Sequence, residues 1–94
     1  MSMEAVMCKI SLGQFTGEYA VQVTTFDGGT VSLFVSEKFL DFESPPSEGS
    51  AVDAKITVEL IDTKDNLCLV RLPEPTLENG QTITVKDDLV LQDA

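Results

Sequence analysis

Apolar and polar residues alternate with a period of two through most of the chain, and no stripe at i, i+3, i+4 and i+7 persists long enough for a long helix. The clearest run is Ala51 to Ile61. Val52, Ala54, Ile56, Val58 and Leu60 share one face while Asp53, Lys55, Thr57 and Glu59 share the other, as a strand with one buried side requires. Ala5 to Leu12 repeats the pattern, with Val6, Cys8, Ile10 and Leu12 inward against Met7, Lys9 and Ser11. Glu18 to Phe26 and Thr30 to Ser36 flank Asp27-Gly28-Gly29 and read as a hairpin. A three-residue loop there pairs Val23 with Leu33 and Val21 with Val35, puts both apolar sets on one side, and gives Gly29 the left-handed position. The same register sends Phe34 to the outer side near Gln22, together with Phe26.

After Ser36, which suits an N-cap, Glu37 to Phe42 fits one short helical turn. Glu43-Ser44-Pro45-Pro46-Ser47-Glu48-Gly49-Ser50 excludes ladder pairing and reads as an extended, exposed linker. Thr63-Lys64-Asp65-Asn66 is a turn, and Leu67 to Leu72, apolar on both faces apart from Arg71, reads as a central strand covered on two sides. Gln81 to Lys86 points Ile83 and Val85 inward, and Asp87 to Val90 forms a turn before a short strand resumes to Leu91.

These elements predict an all-β protein, a single domain over residues 1–94. The expected form is a small barrel or sandwich of six to seven mostly antiparallel strands, with one short helical turn near residues 36–42. Residues 4–42 and 50–91 also resemble each other across the linker 43–50. Lys9-Ile10-Ser11 answers Lys55-Ile56-Thr57, Asp27-Gly28-Gly29 answers Glu78-Asn79-Gly80, and Val35 to Leu40 answers Val85 to Val90. Two such halves would each supply three strands and a closing turn to a pseudo-symmetric barrel. A barrel or sandwich without symmetry accounts for the same strands, because strands separated by glycine turns resemble one another readily.

Composition narrows the functions. The 94 residues hold 16 Asp and Glu against 6 Lys and Arg, a net charge of −10, yet 43% are hydrophobic, which separates the chain from a disordered acidic tail. There is no His, so acid-base catalysis would rest on carboxylates alone and no catalytic residue is assigned. Cys8 and Cys68 cannot complete a tetrahedral zinc site, and Asp62 to Asn66 lacks the spacing of a calcium loop, so neither a metal nor a cofactor is expected. The two thiols are expected to be free and buried, in a cytoplasmic protein with no membrane-spanning segment. Six scattered basic residues provide no track for direct nucleic-acid binding.

The expected function is therefore that of a non-enzymatic protein-interaction module or subunit, with another protein or a second copy as partner. The alternative is an acidic inhibitor that imitates nucleic acid toward a DNA- or RNA-binding protein; the charge, −4 over residues 1–47 and −6 over 48–94, covers both halves. A small-ligand barrel is the third reading. Phe26, Phe34, Phe39 and Phe42 are the candidate protein-binding patch, as aromatics near acidic residues. Against that, Phe26, Phe34, Phe39 and Leu40 would form a small second core if the helical turn folds over the hairpin.

Overall fold

The computed structural model describes residues 2–78 and 80–91. Among them, eight strands form one antiparallel sheet: β1 (Ser2–Leu12), β2 (Glu18–Thr24), β3 (Thr30–Ser36), β4 (Leu40–Asp41), β5 (Val52–Lys64), β6 (Leu67–Arg71), β7 (Thr82–Lys86) and β8 (Val90–Leu91). The path across the sheet is β3-β2-β1-β5-β6-β7, with β4 beside β5 and β8 beside β1. The sheet curls into a half-barrel. Six of the strands are long enough to show alternation; β4 and β8 have two residues each. The inward rows, including Val6, Ile10, Leu33, Ile56, Val70 and Val85, merge into one core. The molecule's shortest extent, 19 Å, suits opposed parts of one sheet about 10 Å apart with a single layer of side chains between them.

Both halves run through the same succession: three antiparallel strands, a 3-10 turn (Glu37–Phe39, Asp87–Leu89), and a two-residue strand. Each short strand crosses to the first strand of the other half. Leu40 of β4 pairs with Ile56, and Val90 of β8 pairs with Val6. The separations 56−6 and 90−40 both equal 50, so Val6 and Ile56 occupy equivalent places. They are also partners across the β1/β5 ladder, which sets a pseudo-twofold axis through that pair. Val35 to Leu40 does correspond to Val85 to Val90 under this relation. Lys9-Ile10-Ser11 does not correspond to Lys55-Ile56-Thr57; that likeness is four residues out of step. The comparison of Asp27-Gly28-Gly29 with Glu78-Asn79-Gly80 involves Asn79, which lies outside the described residues.

The β2/β3 hairpin keeps the expected faces but shifts the register by two, pairing Val23 with Val31 and Val21 with Leu33. Phe34 accordingly lies opposite Ala20 rather than Gln22. Asp27 causes the shift. Its carboxylate accepts from the Thr25 hydroxyl and from the Gly29 N–H, and the Gly28 N–H donates to the Thr25 carbonyl at 3.0 Å. The loop is thus Phe26-Asp27-Gly28, and Gly28, at φ 86°, takes the left-handed position expected for Gly29.

Other elements depart less. Ser36 caps the first 3-10 turn, its hydroxyl accepting from the Lys38 N–H at a long 3.5 Å. The linker is exposed except at Pro46, which is buried. Asp65 and Asn66 both have positive φ, making the two-residue turn that pairs Lys64 with Leu67. β6 lies inside the sheet, but Leu67 and Leu69 face outward and are only half-buried, so one of its faces is covered in part rather than fully. The edge strands β3 and β7 are tied by loops: the Phe26 N–H donates to the Thr84 carbonyl at 2.9 Å, and the Leu77 N–H to the Ser32 carbonyl at 2.7 Å. Each tie removes part of an otherwise open edge.

Candidate interaction surface

Because side chains alternate along a strand, burying Val6, Cys8 and Ile10 turns Met3, Ala5, Met7 and Lys9 to the outer face of β1. Met3 is 61% exposed and Met7 44%. Ala5 lies between them, with Thr57 of β5 and Leu91 of β8 as its cross-strand neighbours. An apolar stripe thus runs along the outside of a central strand, beside the pseudo-twofold axis. Two hollows border it, both lined by Asp41 and Lys55. One, about 520 Å³, adds Met7, Phe42 and Val52; the other, about 340 Å³, adds Met3, Thr57 and Leu91.

The charges around the stripe are balanced locally. Met7 lies opposite Lys55 and Met3 opposite Glu59. Lys9 pairs with Asp53, and Arg71 reaches Glu59 at 3.4 Å; these exposed pairs tune the rim without adding much stability. Methionine suits such a surface, since its unbranched, polarizable side chain adapts to different partners.

The four candidate aromatics are placed differently from one another. Phe39 and Phe42 pack against the main core together with Leu40. Phe42 meets Tyr19 edge to face, with centroids 5.4 Å apart, and also lines the larger hollow. The Lys38 ammonium lies over the Phe39 ring at 5.2 Å from its centroid. Phe34 is half-buried on the outer face of β3. Phe26, 47% exposed, sits in the hairpin loop and borders a separate hollow of about 380 Å³ between the start of β3 and β7. The second core expected from Phe26, Phe34, Phe39 and Leu40 does not form, because the 3-10 turn delivers its apolar residues to the main core. Met3 and Met7 are what residue-type reasoning about aromatics passed over; their signal was an apolar residue at each of two outward positions.

The described residues place no group of three or more His, Cys, Asp or Glu where it could hold a metal ion. No polar or charged side chain among them is buried. Cys8 and Cys68 are free thiols. Burial, and then the Asp53 carboxylate, pushes Cys8 up to about 12. Cys68 is raised by burial first, then by Asp87 and Glu4. Both stay protonated at neutral pH, which is the wrong state for nucleophilic chemistry. No helix of the described residues is long and apolar enough to cross a membrane. No protein-family profile, curated protein or solved structure matches this chain.

Proposed function

We propose that this chain is a non-enzymatic protein-interaction module that engages its partner through the outer face of β1 and β5. The exposure of Met3 and Met7 on the central strand carries the reading. Large apolar side chains there contribute little to the core, and covering them with a partner would recover hydrophobic free energy of about 25 cal/mol per Å². A second copy of the chain is one such partner; its use would appear as a concentration-dependent mass.

The acidic surface favours a second reading, a nucleic-acid mimic, since among the described residues every charged side chain remains outside the buried core. Salt separates the two. Binding through the methionine stripe changes little between low and moderate ionic strength, whereas binding through displayed carboxylates weakens steeply. The test is parallel affinity capture with the wild-type chain and a Met3→Gln/Met7→Gln variant, each at two salt concentrations. The proposal expects a protein retained by the wild type at both salts, and binding at least about tenfold weaker in the variant, or about 1.4 kcal/mol. Equal retention by the variant, with its fold intact by circular dichroism, overturns the reading.

A further inference from the structure

The two halves match in detail around one position and differ there in volume. Tyr19 pairs with Val35, two residues before the first 3-10 turn, and Cys68 pairs with Val85, two residues before the second. The Glu37 N–H donates to the Gly17 carbonyl and the Asp87 N–H to the Asn66 carbonyl, both at 2.9 Å. Gly17 and Asn66 each have positive φ. Tyr19 and Cys68 therefore stand in equivalent places, one with a phenol ring and one without.

In the first half the Tyr19 ring packs on the core, edge to face with Phe42. In the second half a hollow of about 630 Å³ opens beside Cys68, lined among others by Leu60, Thr63, Leu67, Asp87 and Val90. The second half has no ring of its own for this place, because all the aromatic residues lie between Phe15 and Phe42. Leu60 and Val90 supply apolar walls and the turn residues Lys64, Asp65 and Asn66 polar ones, and a protonated thiol offers the polarizable sulfur that aromatic rings favour.

We infer that the hollow beside Cys68 binds an aromatic ring of phenol size, carried as a tyrosine or phenylalanine side chain on a partner polypeptide. The first half is the argument for the occupant: the same backbone frame already holds such a ring. The site shares no lining residue with the hollows along the methionine stripe, so the inference stands or falls independently of the proposed function.

The test is a titration of the isotope-labelled full chain with p-cresol and with N-acetyl-tyrosinamide, followed by amide chemical shifts; fragments of this size bind in the millimolar range. Saturable shifts are expected for both probes at residues 60, 63, 67, 68, 87 and 90. Cys68→Tyr, which installs the ring, should remove them and raise the thermal midpoint, while Cys68→Ala should retain them. Val90→Phe narrows the hollow from another wall and should also remove them, which keeps the test open should Cys68→Tyr fail to fold. Absence of saturable shifts in the wild type, or shifts unchanged in both filling variants, overturns the inference. Binding of p-cresol without the tyrosine amide overturns the polypeptide source.

Discussion

Ile56 sits on the pseudo-twofold axis, fully buried, with Val6 on one flank and Leu40 on the other. Truncating a buried Ile to Ala costs about 2–5 kcal/mol, the spread reflecting how far the surroundings collapse into the space. Collapse is restricted here, because moving β5 toward the void strains its ladders with β1 and β4 together. The expected loss is therefore about 4 kcal/mol, a large share of the roughly 5–14 kcal/mol that about 0.05–0.15 kcal/mol per residue allows this chain. With a urea m-value of about 1 kcal/mol/M, the midpoint should fall by roughly 4 M, or the variant should be unfolded without denaturant. Met7→Ala, on the outer face of the neighbouring strand, should cost less than about 1 kcal/mol. Urea unfolding followed by far-ultraviolet circular dichroism measures both. An Ile56→Ala loss below about 1 kcal/mol, or one equal to that of Met7→Ala, would refute the placement of the core.

Two further outcomes follow from local chemistry. Cys8 is raised from an ordinary 9.0 to about 12, so between those values the unfolded chain loses a proton that the folded chain keeps. Stability must then fall as pH rises, by at most about 1.4 kcal/mol per pH unit, and urea midpoints from pH 8.5 to 10.5 should fall more steeply for the wild type than for Cys8→Ala. Gly28→Ala should cost about 1 kcal/mol, since φ is 86° while a Cβ would meet no atom within 4 Å; an unchanged thermal midpoint would contradict the loop assignment.

The long strands were legible because one buried face imposes strict alternation, as in β5. What alternation cannot supply is register. Offsets that differ by an even number keep every side chain on the same face, so the hairpin shift of two was invisible until Asp27 showed where the turn bonds. For the same reason, the likeness of Lys9-Ile10-Ser11 to Lys55-Ile56-Thr57 could not be distinguished from the correspondence four residues away. The short strand ending at Leu91 was legible, whereas β4 was hidden by its length, and the pairing of both short strands by partners in the opposite half. The fates of Phe39 and Phe42 depended on the direction in which a three-residue 3-10 turn releases the chain, which composition does not state. Met3 and Met7 were visible as apolar residues at outward positions, yet only the ladder with β5 places them on a central strand rather than on an edge.

The most direct test of the proposed outer-face interface is a footprint on the labelled chain when the partner retained by wild-type capture is added. Binding through β1 and β5 predicts line broadening or shifts centred on residues 3, 5, 7, 55, 57 and 91, unchanged in pattern between low and moderate salt. A footprint spread over the acidic turns, or confined to the loops between β2 and β3 and between β6 and β7, would contradict it.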